Sequence, residues 1–464
     1  MKTLTILLGL TLLASCTVGP NYQRPAVTVP ETFRAEAEAA KPSLADQAWW
    51  EVLQDEALQA LIEEALRDSQ DLRIAAWRVE EARASAGIAR SAFYPQVDAT
   101  AGWARGREEI LPGQHETFDF SSVALRASWE VDLWGRIRRL NEAARAQYLA
   151  TEEARRGVEL SLVSDVATTY FELRALDYQL DIAKRTAATF ADTHALFQRR
   201  LEAGLASSLE TASASASLFG TQASIPDLER LITDGENRLA VLLGRTPQEV
   251  RRGLALDAQP LPPAIPVGLP SDLLERRPDL RQAEQDLIAA NAEVGVAVAD
   301  FFPRISLTGL FGGVAPQVRD VLDSGQAWSI GAGILAPVFQ GGRLKNQHRA
   351  AVARWEQAKA VYERDVNEAL AEVSTALVAY QKLADVEKER AHSVAAYKQA
   401  VEVSNSRYLS GLADYFEVLE AQQQLFPAEN ALAQTRFARL QTLVQLYRAL
   451  GGGWDVAPGQ GERS

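Results

Sequence analysis

The sequence predicts a mixed α and β chain, mainly helical, that repeats one structural pattern twice. Three observations carry this: ordered self-matches at nearly constant offset, two very long stretches with a coiled-coil period, and four stretches in which apolar and polar residues alternate. Asp71-Leu72-Arg73 recurs as Asp279-Leu280-Arg281 and Phe93-Tyr94-Pro95 as Phe301-Phe302-Pro303, both 208 residues on. Gly135-Arg136-Ile137 matches Gly342-Arg343-Leu344, Gly204-Leu205-Ala206 matches Gly411-Leu412-Ala413, and Leu243-Gly244 matches Leu450-Gly451, all 207 residues on. One match is chance; an ordered series with a single one-residue shift is a duplication.

Taken from the start, residues 1–15 read as a signal peptide, with Lys2 followed by an apolar run, Leu4 to Leu13, that is too short to cross a bilayer as a helix. The run ends in Leu13-Ala14-Ser15-Cys16, where small residues before a cysteine resemble a bacterial lipobox. Cys16 is therefore the expected lipidation site, and Thr17 after it agrees with onward sorting to the outer membrane. Residues 16–54 form a lipidated extended segment, 55–244 the first repeat, 245–276 a Pro-rich connector, 277–454 the second repeat and 455–464 a flexible tail.

Each repeat opens with a helix of moderate length (about 55–92 and 277–300), stopped by a proline that a helix interior excludes. Two short strands follow, then a very long helix (about 136–203 and 343–409) and, after a glycine turn, a last helix (about 207–243 and 414–450). In the first long stretch Val158, Leu162, Val166, Thr169, Leu173, Leu176 and Leu180 recur at three- and four-residue steps; Val366, Leu370, Val373, Leu377 and Tyr380 do so in the second. At 1.5 Å per residue each would be roughly 100 Å long.

In the strands Val97, Ala99, Ala101 and Trp103 alternate with polar neighbours, as do Val123, Leu125, Ala127, Trp129 and Val131. The second repeat supplies Ile305, Leu307 and Phe311, then Trp328, Ile330, Ala332 and Ile334. Segments of about 9–11 residues with one apolar face are the signature of outer-membrane barrel strands. Four strands cannot close a barrel without open edges in lipid. At least two copies are needed, and three would give twelve strands.

Composition excludes other classes. Lys+Arg 48 against Asp+Glu 61 leaves a net charge of −13, the wrong sign for gripping phosphate backbones, so nucleic acid is not an expected partner. One Cys and four scattered His offer no disulfide and no metal-ligand spacing, and no metal or other cofactor is expected beyond the lipid on Cys16. Gly331-Ala332-Gly333-Ile334-Leu335-Ala336 fits a dinucleotide pattern, but Pro337 stands where its helix would begin. No nucleophile–base constellation points to an enzyme.

The chain resembles the TolC/OprM-type outer-membrane efflux proteins, in their NodT-like lipoprotein branch. The residues that carry the likeness are Cys16-Thr17-Val18-Gly19-Pro20-Asn21-Tyr22-Gln23-Arg24-Pro25, Trp49-Trp50, Arg276-Arg277-Pro278-Asp279-Leu280-Arg281-Gln282-Ala283-Glu284, Phe301-Phe302-Pro303, Gln340-Gly341-Gly342-Arg343 and Leu450-Gly451-Gly452-Gly453-Trp454. The resemblance implies a homotrimer with a twelve-stranded transmembrane β-barrel above a periplasmic α-helical coiled-coil barrel. It implies the exit duct of a tripartite efflux pump for small molecules such as drugs or toxic amphiphiles. Its partners would be outer-membrane lipid, a periplasmic adaptor and an inner-membrane transporter of RND type. The alternative is a structural envelope lipoprotein built on a coiled-coil rod with no channel.

A duct performs no covalent chemistry, so the candidate residues are those that set conductance. The second helical turn concentrates acids and aromatics in Asp414-Tyr415-Phe416-Glu417-Val418-Leu419-Glu420. Phe416 and Glu420 are four apart and share a helix face, so copies around an axis would stack an apolar ring on an anionic one. The resemblance sharpens this: the family's Leu-Asp-Ala-Gln aperture motif reads Leu419-Glu420-Ala421-Gln422 here, and its apolar gate falls on Phe416. Asp414 and Glu417 add negative charge. Latch contacts between neighbouring hairpins fall on Tyr408 and Glu210, while the latch arginine of some members is replaced by Ala413. The competing reading for all of them is a solvated helix tip.

Overall fold

The computed structural model describes residues 17–33, 43–262, 265–321 and 326–452. The expected signal peptide, Cys16 and the tail over 455–464 lie outside the described residues. The first repeat contains helices α1 (Glu56–Asp68) and α2 (Gln70–Ser91), strands β1 (Gln96–Leu111) and β2 (Gln114–Val131), and helices α3 (Arg136–Glu202) and α4 (Ser208–Leu242). The second contains α5 (Pro278–Ala299), β3 (Arg304–Ala315), β4 (Gln326–Leu335), α6 (Arg343–Leu409) and α7 (Tyr415–Ala449). The duplication is carried into the element lengths: α3 and α6 have 67 residues each, α4 and α7 35 each, and α2 and α5 22 each.

Two expectations are corrected. The single helix over 55–92 is broken at Ser69, whose ψ of 132° leaves the helical region. Gly244, at φ +72°, packs against the break so closely that a Cβ there would lie 2.3 Å from the Asp68 carbonyl oxygen. The strands of the first repeat are also longer than a membrane crossing needs, 16 and 18 residues against 12 and 10 in the second. Beyond Trp103 the alternation gives way to Arg105, Arg107, Glu108 and Glu109, paired with Asp119, Thr117, Glu116 and His115. Backbone pairing continues after the apolar face has ended.

The chain divides into two compact units. Among the described residues, one comprises 17–26, 77–153 and 282–364. Its centre is an antiparallel sheet in the order β1-β2-β3-β4. The register sets apolar against apolar across all four strands: Ala99 faces Leu125, Leu125 faces Phe311, and Phe311 faces Trp328. Directly opposed residues share a sheet face, so these positions form one continuous apolar surface. That surface is exposed, Trp328 by 73% and Ile330 by 82%, and the outer edges of β1 and β4 are unpaired among the described residues.

The chain just after Cys16 is strapped into the same unit. The Val18 amide donates to the Trp134 carbonyl (3.1 Å), Asn291 Nδ2 to the Pro20 carbonyl (3.1 Å), Arg139 Nη2 to Asn21 Oδ1 (2.8 Å), and Tyr22 Oη to Glu284 (3.0 Å). Gly19, at φ +92°, comes so near α5 that a Cβ would lie 2.5 Å from Gly295 Cα. Only glycine serves at such a contact.

Among the described residues, the second unit comprises 27–76, 154–281 and 365–452 and packs helix on helix. Of the expected coiled-coil positions, Leu162, Val166, Leu173, Val366, Val373, Leu377 and Tyr380 are buried, while Val158, Thr169, Leu176, Leu180 and Leu370 are half-buried. Asp55 ties the connector to the bundle. Its carboxylate caps α1 through the Ala57 amide (2.9 Å) and accepts from Tyr170 Oη (2.9 Å), the Leu254 amide (2.9 Å) and Gln259 Nε2 (2.7 Å).

Candidate functional site

The two helical turns of the second unit, at 203–207 and 410–414, are built alike. Gly204 and Gly411 each adopt φ +70°, and the amides of Leu205 and Leu412 reach back to the carbonyls of Arg200 (2.7 Å) and Arg407 (2.9 Å). This is the glycine stop that satisfies the last carbonyls of a helix. The next helix is capped differently in each. Ser207 and Glu210 form a reciprocal capping box: Glu210 Oε2 accepts from the Ser207 amide (2.6 Å), and Ser207 Oγ accepts from the Glu210 amide (3.3 Å). In the second turn Asp414 Oδ1 accepts from the Phe416 amide at 3.0 Å.

The helical period then sorts the second turn. Tyr415, Val418 and Leu419 point inward and join Phe190, Phe197, Ala214 and Leu218 in a buried cluster. Tyr415 is its anchor: its ring meets Phe197 edge-on at 4.8 Å and Tyr408 at 4.9 Å, and its hydroxyl lies 2.6 Å from Thr193 Oγ1. Burial raises the Tyr415 phenol above its ordinary pKa, against the lowering effect of the Thr193 hydrogen bond, so it stays a neutral hydroxyl. The residues between point out. Phe416 is 62% exposed, and Glu417 and Glu420 are exposed with it.

Glu417 and Glu420 line an open groove of about 400 Å³ together with Tyr397, Ser404, Arg407 and Gln424. Arg407 Nε reaches Glu417 Oε2 at 3.3 Å. The groove therefore presents one carboxylate beside a guanidinium and a second, Glu420, one helical turn further on. Within the chain the latch candidates have other partners: Glu210 serves its capping box, while the Tyr408 hydroxyl accepts from Arg200, whose guanidinium carbon sits 5.7 Å from the ring centre. Sequence reasoning missed Tyr415, Arg200 and Arg407. The 3–4 spacing of Tyr415, Val418 and Leu419 was a readable sign that Tyr415 faces inward.

Among the described residues no group of His, Cys, Asp and Glu is placed to hold a metal, and no helix is long and apolar enough to cross a membrane. What the geometry offers is an exposed apolar sheet face, long paired helices and a charged, aromatic tip. The sequence matches the outer membrane efflux protein family over residues 61–245 and 269–452, one match to each half of the duplication. The chain belongs to this family. It is 34% identical over 460 residues to the toluene efflux pump outer membrane protein TtgC of Pseudomonas putida, covering 97% of this chain and 95% of that one. It is 32% identical over 450 residues to the cation efflux system protein CusC of Escherichia coli, covering 96% and 97%. Its structure superposes on that of the outer-membrane channel OprN with a TM-score of 0.88 at 32% identity, over 95% of this chain and all of the other. As a family member it is an outer-membrane channel of efflux pumps, and a passage of this kind needs no catalytic residue.

Proposed function

We propose that the chain is the lipid-anchored, homotrimeric exit duct of a tripartite pump, gated at its helical tips. The observation that carries this is the four-stranded sheet, apolar and exposed on one face and unpaired at both edges. In lipid such edges must be paired, and three copies closing twelve strands satisfy every backbone group. Lipidation of Cys16 is supported by the strap that follows it: Thr17 lies against Gly135, a few residues past the end of β2, so an acyl anchor there would lie near the strand ends. The aqueous ends of the tips carry exposed Leu205, Leu209 and Leu412, a surface fitted to a periplasmic adaptor, which would link the duct to an inner-membrane transporter of RND type.

Phe416, Glu420, Asp414 and Glu417 form the proposed gate, with Phe416 as the apolar constriction and Glu420 as the charge not engaged by Arg407 in the groove. Cargo is set mainly by the transporter, which accords with relatives named for toluene and for cations sharing this architecture. The expected cargo is small drugs or toxic amphiphiles, with cations favoured at the mouth. Single-channel recording in planar bilayers tests the gate. Wild type should conduct weakly and prefer cations, Glu420→Ala should lose most of that preference, and Phe416→Ala should raise conductance about twofold or more. Conductance and selectivity untouched by both changes would move the gate elsewhere, and a folded preparation with no channel would favour the structural lipoprotein.

A further inference from the structure

The first hairpin outgrows the sheet it belongs to. β3 ends at Ala315, opposite Ser121, so the stretch of β2 from Gln114 to Phe120 pairs with β1 alone and forms a two-stranded ribbon. Its turn is closed by Gly113, at φ +82°, whose amide donates to Glu109 Oε1 at 2.7 Å. Strand side chains alternate, so the ribbon has two different faces. One continues the apolar surface that carries Trp103, and it bears Arg105, Arg107 and Asp119, with Arg105 Nε 3.6 Å from Asp119 Oδ1. The other continues the face turned away from lipid.

Along much of that second face the sheet carries small residues. Thr100 stands opposite Ala124, Gly102 opposite Ser122, Thr308 opposite Gly331 and Ser306 opposite Gly333. The ribbon breaks the pattern: Phe120 stands opposite Ala104, Phe118 opposite Gly106 and Glu116 opposite Glu108. Phe118 is 48% and Phe120 42% exposed, and both glutamates are exposed with them. The tip of the Phe118 ring lies over Gly106, where a Cβ would come within 2.5 Å of its Cζ, so the glycine makes room for the ring. Two features of this face are left uncompensated by the strand pairing. The aromatic pair is open to solvent, and directly opposed carboxylates repel each other. The arginines of the ribbon lie on the other face.

We propose that this face is a binding site for aromatic organic cations at the hairpin end of the passage: Phe118 and Phe120 stack on the flat apolar body, and Glu108 and Glu116 hold the positive charge. The face of a phenyl ring attracts a cation laid over it, and the neighbouring carboxylates act in the same direction. A cation held between Glu108 and Glu116 also relieves their repulsion. The inference rests on the channel reading, which turns the face away from lipid toward the passage, and adds to it a ligand class and the residues that receive it.

Single-channel recording of the full-length protein tests the site with propidium, an aromatic dication that does not cross lipid, added on the hairpin side of oriented channels. Propidium should reduce the wild-type current from that side. Hexamethonium, a dication without rings, and pyrenetetrasulfonate, an aromatic anion, should not. Phe118→Ala/Phe120→Ala and Glu108→Gln/Glu116→Gln should each weaken the block about tenfold, read against the variant's own open current, while Phe118→Tyr/Phe120→Tyr should keep it. Equal block by propidium and hexamethonium overturns the site. So does an alanine pair that is blocked as wild type but dissociates at a lower temperature in detergent, which would assign the rings to contacts between copies. A wild type that conducts without block overturns the site and leaves the channel standing; a folded wild type with no channel overturns both.

Discussion

Ile330→Lys is expected to abolish assembly in the outer membrane. Ile330 lies near the middle of β4, opposite Gly309 and 82% exposed, on the face that also carries Trp328, Phe311 and Leu125. A lysine facing lipid near the bilayer midplane costs about 2–4 kcal/mol. Each copy would carry one such lysine, a sizeable share of the ~5–15 kcal/mol that separates a folded domain from its unfolded chain, and the closed assembly would meet it in every copy. The informative partner is Ser329→Lys, one residue away and on the opposite face, beside Leu310. Strand side chains alternate, so this lysine points away from lipid and should assemble nearly as wild type. Heat-modifiable mobility of the outer-membrane fraction reads both. Equal assembly of the two variants would mean that the apolar face of the sheet does not face lipid.

The same face shows which parts of the fold were legible in advance. Alternation is a local signal, and a duplicated local signal is stronger still, so the four strands and the order of helices could be read from the sequence. What could not be read depends on contacts far along the chain. Ser69 sits at the start of α2, where serine is a favoured cap, but a single serine does not mark a break, and the close approach of Gly244 to the Asp68 carbonyl comes from far along the chain. The outer halves of β1 and β2 carry charges in no alternating order, so nothing local marked them as strand, yet backbone pairing carries them to Leu111 and Gln114. At the tips, Phe416 and Glu420 were found through their spacing and a family likeness. Arg407 was passed over because its partner, Glu417, sits across the turn, and Arg200 because Tyr408 lies in the other repeat.

Tyr415→Ala is expected to loosen the tip more than any change to the gate residues themselves. Removing a buried aromatic side chain costs about 3–5 kcal/mol. Here it also leaves the Thr193 hydroxyl, 5% exposed, without its partner, at about 1–3 kcal/mol. The loss is local, because Tyr415 is the first residue of α7 and joins it to Phe197 on α3 and Tyr408 on α6. Without that anchor the first turn of α7, which presents Phe416 and Glu417, loses its hold on the bundle. Conductance should rise several-fold with frequent flicker, and limited proteolysis should cut the turn near 410–414 faster. Tyr415→Phe keeps the ring contacts and gives up only the hydroxyl bond to Thr193, about 1–3 kcal/mol, so it should conduct within twofold of wild type. If Tyr415→Ala instead keeps wild-type conductance and protease resistance while Phe416→Ala opens the channel, contacts between copies hold the aperture and the anchor within one chain does not.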